Sequence, residues 1–315
     1  MPNVISKSVK VFAPASVSNL NCGFDILGFA LDDPGDEVIL TLNESKKVSI
    51  EKITGDNGLL PTDPEKNTAS AVIQYYLKQI NSNQGVSIIL HKKMPLNSGL
   101  GSSAASSVAA LVGINELMGK PMSRRELLPF AMEGECLACG NAHADNVAPS
   151  LFGGLVLIRG YNPPDIVKLP VPDNLWCAIV HPELSIPTRE ARQILPATIP
   201  LRDAVIQWGN VAGLIAGFYS NDMELIRRSM QDVIIEPVRK VRIPLFDSMR
   251  KIAMDAGAIG FGISGSGPTV FAFCNSLIQS ENICKSISSL LLTSSIENQF
   301  YVSKINQQGA LITTL

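Results

Sequence analysis

Residues Pro95 to Leu111, PLNSGLGSSAASSVAAL, set glycines and a serine pair at the junction of an expected strand and an expected helix. The preceding SIILHKKM alternates and is β-branched enough for a strand, and ASSVAALVGINELM is Ala-rich with apolar residues at helical spacing. A Gly-rich turn that opens a helix offers unpaired backbone N–H groups and the positive end of the helix dipole to an anion, most often phosphate. The loop is not a Walker A sequence, because no Lys follows its last Gly. Gly99-x-Gly101-x-x-Ala104 matches the dinucleotide-binding pattern formally, yet no acidic residue ends a second strand about 20 positions on. Gly260-x-Gly262-x-x-Gly265 is a weaker match still, since a strand follows it and not a helix.

Three further groups of residues could do chemistry. Asn19 and Asp25 stand in a Gly-containing turn, within PASVSNLNCGFDILGFAL, where an Asx-turn and a helix cap compete with a functional role. Glu135 sits on a largely apolar expected helix, where an unpaired carboxylate is costly. A serine hydroxyl and a carboxylate make a plausible oxygen pair for Mg²⁺, which keeps waters and phosphate oxygens besides. Cys136-x-x-Cys139-x3-His143 has a zinc-like spacing but supplies only three ligands, two of them within or at the end of a helix. In the second half, TREAR sets Thr188 and Arg192 one helical turn apart on a common face, and Arg239 follows. Arginine forks match a carboxylate or a phosphate, although either residue alone reads more readily as a solvated surface charge.

These residues need a scaffold, and the chain of 315 residues is long enough for two compact domains or one large one. It is 46% hydrophobic and 17% charged with a net charge of −2 and no long basic run, which argues against nucleic acid as a partner. No stretch approaches the roughly 20 apolar residues that cross a membrane, and the N-terminus lacks the apolar core of a signal peptide. Six scattered cysteines without framework spacing read as free, mostly buried thiols of a reduced, cytoplasmic protein. VKVFAPAS, EVILTL and KVSIEKI read as strands, Asn67 to Ile80 as a helix, and Ser123…Glu126 as a capping box opening another. GGLVLIRG and LWCAIVHPE are further strands on either side of a cluster of prolines (163, 164, 170 and 172) that marks a candidate domain boundary. Strands and helices intermix without a strict βαβ rhythm, so the fold class is α+β.

In order along nearly the whole chain, PASVSNLNCGFDILG, PLNSGLGSSAA and GISGSGPT resemble the three motifs of the GHMP kinase family. GFDILGFAL, HADNVAPSLFGG, PTREAR and EPVR further resemble the branch of that family that acts on homoserine. The resemblance implies an N-terminal domain like ribosomal protein S5 domain 2 over residues 1–165 and a ferredoxin-like C-terminal domain over 166–315, with the active site between them. It implies ATP with Mg²⁺, transfer of the γ-phosphoryl group to the side-chain hydroxyl of L-homoserine, and a homodimer. The backbone of Pro95, Leu96, Asn97, Ser98, Gly99, Leu100, Gly101, Ser102, Ser103 and Ala104 would cradle the phosphates. Ser103 and Glu135 would hold Mg²⁺, and Asn67 would contact adenine. Asn19 and Asp25 would grip the hydroxyl end of homoserine. Arg192 and Arg239 would take its carboxylate, with Thr188, His143 and Gly265 shaping the pocket.

Some members of the family carry a catalytic Asp 11 positions after the Mg²⁺-binding Glu, and here that count from Glu135 reaches Asn146. Asn has no basic group to offer, so Asn146 enters the catalytic set without the role of base. Asp145 is offset by one position, which is expected to turn its side chain elsewhere. Phosphoryl transfer through a loose transition state depends mainly on positioning, so Asp25 is expected to orient the hydroxyl while its proton passes late to a phosphate oxygen.

Overall fold

Val9, Val11, Ala13, Ala15 and Val17 recur at every second position and are all buried, and the strand they belong to is β1 (Ser8–Ser18). The computed structural model describes residues 7–139 and 144–314. β1 lies beside the long β2 (Leu27–Asn43), which bends so that its two halves take different partners. Its second half pairs with β4 (Gly85–His91), and β4 pairs in parallel with β3 (Val48–Thr54). Its first half pairs with β5 (Leu155–Tyr161), which forms a hairpin with β6 (Pro164–Leu169). The C-terminal β11 (Leu311–Thr313) returns to the free side of β1 and completes a seven-stranded sheet.

Helices α1 (Thr68–Gln79), α2 (Ser102–Leu117), α3 (Arg124–Cys139) and α4 (Ala144–Phe152) cover this sheet. α2 is buried on nearly every side, which its small residues permit: a Cβ on Gly113 would come within 2.9 Å of the Leu40 side chain. The expected capping box opens α3, where the Ser123 amide and hydroxyl both donate to Glu126 Oε2 at 2.7 and 2.6 Å.

The second layer begins with β7 (Trp176–Pro182) and ends with β10 (Asn298–Lys304), with β8 (Gly260–Ile263) and β9 (Val270–Cys274) between them. Its strands run β10-β7-β9-β8, all antiparallel, which is the order of a ferredoxin-like sheet. Between β7 and β8 come α5 (Thr188–Gln193), α6 (Leu201–Ser220), α7 (Met223–Ser229), α8 (Glu236–Arg239) and α9 (Phe246–Asp255); α10 (Leu277–Thr293) follows β9. The expected seam between residues 165 and 166 falls inside β6, and the chain changes sheet only between Leu169 and Trp176. Pro163 and Pro164 serve the β5–β6 hairpin instead.

A hydrophobic core shared by both sheets lies between them, and a second cluster packs α9 and α10 on the other face of the second sheet. Phe29 of β2 meets Phe271 and Phe273 of β9 at ring-centroid distances of 5.8 and 5.2 Å, and Phe218 of α6 meets Phe273 at 6.3 Å. The shared core fixes the two halves against each other and so fixes the cleft between them.

Candidate active site

The glycine-serine loop leads into α2 through Gly101 in the left-handed conformation (φ 66°), and no side chain caps the helix. By contrast α1, α7 and α10 each begin on a side-chain cap. An uncapped N-terminus without acidic residues in its first turn keeps its N–H groups for an anion. The loop is stitched to the turn between β8 and β9: Ser264 Oγ donates to the Gly99 carbonyl at 2.7 Å and the Thr269 amide to the Ser98 carbonyl at 3.3 Å. A Cβ on Gly99 would lie 2.3 Å from the Ser264 carbonyl oxygen, so these two glycine-rich turns can approach only without side chains.

Beneath the loop lies a buried cluster that sequence reading did not isolate. Lys92, embedded in the strand-like HKKM, pairs with Asp36 and donates to the Ser102 carbonyl at 2.8 Å and to Ser106 Oγ at 2.7 Å. Ser102 Oγ also turns toward this pair, 3.3 Å from Asp36 Oδ2, and so away from a metal role. The network ties the end of β4 to the first turns of α2 and holds the N-terminus in place.

Ser103 faces the cleft, its hydroxyl donating to Glu135 Oε1 at 2.7 Å across from α3. Glu135 is buried, and loss of water pushes its carboxyl up to about 7 against the opposing pull of Ser103 and Lys92. Two oxygen ligands at the mouth of a phosphate-binding helix suit a hard cation that also binds phosphate. Among the described residues no group of three or more His, Cys, Asp or Glu could hold a metal, and Cys136 is exposed. His143 lies outside the described residues.

On the far wall the turn after β1 carries Asn19, Leu20 and Asn21 in succession at φ 71°, 42° and 62°, and Asp25 at 61°. Such backbone is costly and persists where the surroundings impose it. It leads into β2, not into the helix that a cap would have opened. Asn19 Oδ1 accepts from the Asp25 amide at 3.1 Å, while its Nδ2 donates to the Gly265 carbonyl at 2.9 Å. That carbonyl also accepts from Arg239 Nη1 at 2.7 Å. Arg192 Nη2 donates to both carboxylate oxygens of Asp25, at 2.7 and 2.8 Å. The guanidinium groups of Arg192 and Arg239 both lie over the Phe24 ring, at 5.3 and 5.1 Å from its centroid. Burial holds Arg239 below the usual arginine range, and the Nε atoms of both arginines find no hydrogen-bond partner among the described residues.

Asp145 also lines this cleft, contrary to the expectation that its offset would turn it away. It is carried by α4 and its side chain is buried against the cleft. Its Oδ1 has no hydrogen-bond partner among the described residues, and burial followed by the nearby Asp25 charge pushes its carboxyl up to about 7. Asn146 beside it accepts from Ser16 Oγ at 3.0 Å and stands next to Gly101.

Together these side chains line an open cleft of about 920 Å³ between the two sheets, including its mouth. Of the residues singled out in the sequence, the cleft gathers Asn19, Asp25, Asn97, Ser98, Gly99, Gly101 to Ala104, Glu135, Asn146, Thr188, Arg192, Arg239 and Gly265. Asn67 is not among its lining residues: its amide caps α1, accepting from Ala69 N at 3.0 Å and donating to the Pro61 carbonyl at 3.1 Å. Pro95 and Leu96 stand behind the lining, and Leu100 is a core residue whose amide is taken by Ser98 Oγ at 3.3 Å. Ser18, Phe24, Arg189 and Ser266 complete the wall without having been anticipated. The GFD string was the available signal for Phe24, an aromatic beside the acidic residue.

Residues 67–154 match the GHMP kinases N terminal domain and residues 214–291 the GHMP kinases C terminal domain. The chain is 48% identical to a homoserine kinase of Chlorobium phaeobacteroides (strain BS1), over 97% of this chain and 99% of that one. It belongs to the homoserine kinase family of GHMP kinases. A homoserine kinase of Xylella fastidiosa (strain M12) is 36% identical over 96% of this chain and 92% of its own. The crystal structure of homoserine kinase from Cytophaga hutchinsonii superposes with a TM-score of 0.97 at 55% identity, covering 99% of both chains. L. major mevalonate kinase in complex with R-mevalonate shares the fold, with a TM-score of 0.74 at 16% identity over 97% of this chain and 99% of that one. No helix among the described residues is long and apolar enough to cross a membrane.

Proposed function

We propose that the chain phosphorylates the side-chain hydroxyl of L-homoserine at the expense of ATP, giving O-phospho-L-homoserine for threonine synthesis. The observation that carries this reading is the pair of arginines stacked on Phe24, with Asp25 and Asp145 beside them and the phosphate loop opposite. A zwitterion matches such a wall. Its carboxylate meets the arginine forks, and its ammonium group meets Asp25 as it exchanges with Arg192. A hydroxy acid that drew Arg192 to its carboxylate would leave Asp25 without a cation, and a sugar would offer the arginine forks no carboxylate, which supports an amino-acid substrate.

The triphosphate lies along the amides that open α2, its terminal group toward Asp145 and Asn146. The buried Glu135 carboxylate and the Ser103 hydroxyl fit Mg²⁺, which would neutralise phosphate charge when bound. Homoserine is held with its hydroxyl beside Asp145. The hydroxyl oxygen bonds to the γ-phosphorus, the bond from that phosphorus to the β,γ-bridging oxygen breaks, and ADP leaves. The hydroxyl proton goes to the Asp145 carboxylate. This moves the orienting role from Asp25, which is engaged by Arg192, to Asp145, which Ser18 hydrogen-bonds and whose Oδ1 has no hydrogen-bond partner among the described residues. The Asn146 amide positions and takes no proton. A homodimer is the assembly that accompanies this reading.

Initial rates of ADP release with L-homoserine, mevalonate and galactose test the assignment. Homoserine is expected to be turned over fastest, and equal or greater rates with either alternative would sink it. Arg239→Met is expected to raise KM for homoserine about 10- to 100-fold, the worth of a charged hydrogen bond. KM for ATP should move by only a few-fold, and equal effects on both would remove Arg239 from the carboxylate site.

A further inference from the structure

α6 carries a long apolar face that none of the described residues covers. Its inner side, with Leu214 and Phe218, belongs to the core. On the outer side Leu201, Val205, Trp208 and Tyr219 are 71, 56, 61 and 61% exposed, and Ala212 and Ala216 lie between them in the open. The spacing of 201, 205, 208, 212 and 219 lines these residues up along one stripe. Twenty residues make a face about 30 Å long, and its charged residues, Arg202 and Asp203, are confined to the first turn. Contiguous apolar surface of this kind, aromatic and depleted of charge, is what the core of a protein interface presents.

We infer that the occupant is a second copy of this chain, its α6 packed antiparallel across a two-fold axis close to Ala212. The inference rests on the homodimer reading above and adds the surface. An isologous contact requires a patch that complements itself, and this one does. Trp208 lies to one side of the axis and Ala216 to the other, so each indole covers the small residues Ala212 and Ala216 of the other copy. A Cβ on Gly209 would meet nothing within 4 Å, which leaves further room there. Arg202 at the start of α6 comes beside the exposed Asp222 just past its end. A parallel pairing would set Trp208 against Trp208 and Arg202 against Arg202.

The test is the mass of the full-length chain in solution by light scattering, for the wild type and for Ala212→Glu. The wild type is expected at about twice 33.8 kDa and the variant at 33.8 kDa, with an unchanged circular dichroism spectrum. In a background lacking Cys136 and Cys139, Ala212→Cys should form a disulfide-linked dimer on mild oxidation, whereas Lys285→Cys on exposed α10 should not. The cross-link decides the matter if Ala212→Glu fails to fold. A monomeric wild type would overturn both the homodimer and the surface. A dimer that survives Ala212→Glu and does not cross-link at 212 would overturn the surface alone.

Discussion

Asp145→Asn lowers kcat for homoserine by about 10²- to 10⁴-fold, the usual worth of a positioned proton acceptor, while KM for homoserine and for ATP change by no more than a few-fold. The substitution keeps the size and the polar edge of the side chain, so packing around α4 is preserved. It removes only the ability to accept the proton. The pH profile separates this role from a merely structural one. Burial has pushed Asp145 up to about 7 from an ordinary 3.8, so the reactive carboxylate is lost as pH falls through about 7. Below that point kcat/KM for homoserine should drop about tenfold per pH unit, and this limb should vanish in the variant.

Stability moves in the opposite sense. Because the folded pKa is raised, the native state binds the Asp145 proton more tightly than the unfolded chain between pH 4 and 7. The favourable contribution is therefore complete at low pH and is lost as pH rises through about 7. Asp145→Asn removes this dependence and should raise Tm at pH 8 although it disables turnover. A variant that keeps most of its kcat, or loses Tm at pH 8, would return the proton to a phosphate oxygen and leave Asp145 as a packing residue.

Glu135→Gln is expected to reduce kcat/KM for ATP by about 10²-fold or more, the equivalent of a few kcal/mol of lost charge stabilisation. Gln can still accept the hydrogen bond from Ser103, so the contact between α2 and α3 survives. What disappears is the buried negative charge that a divalent cation would neutralise. Calorimetric titration with an ATP analogue in the presence and absence of Mg²⁺ checks this. The wild type should bind far more tightly with the cation present, and Glu135→Gln should bind almost equally in both conditions. A Mg²⁺ dependence unchanged in the variant would place the cation on other residues.

What could be read locally was read well, because the causes are local. Gly99 and Gly101 needed left-handed backbone, and the Ser123–Glu126 box spans one helical turn. The alternation of β1 likewise needs nothing beyond its own neighbours. Where local reading failed, the missing information was direction. Asn67 does open α1, but the cap it forms uses the amide that was expected to face a nucleotide. Asp145 faces the cleft from α4, and an offset counted along the chain cannot say which way a helix is turned.

By itself the sequence determined that a glycine-rich turn would join β4 to α2. It also supplied the ingredients of the site, since side-chain chemistry and short-range backbone preference are carried by each segment alone. Only the tertiary structure decided the pairings: Arg192 with Asp25 across 167 positions, Asn19 and Arg239 on the Gly265 carbonyl, and Lys92 with Asp36 beneath the loop. Such partners are far apart along the chain and meet because one core, built on Phe29, Phe271 and Phe273, locks the two sheets together. The same core turned one side of α6 inward and left the other to solvent, a division set by packing and by no pattern local to the helix.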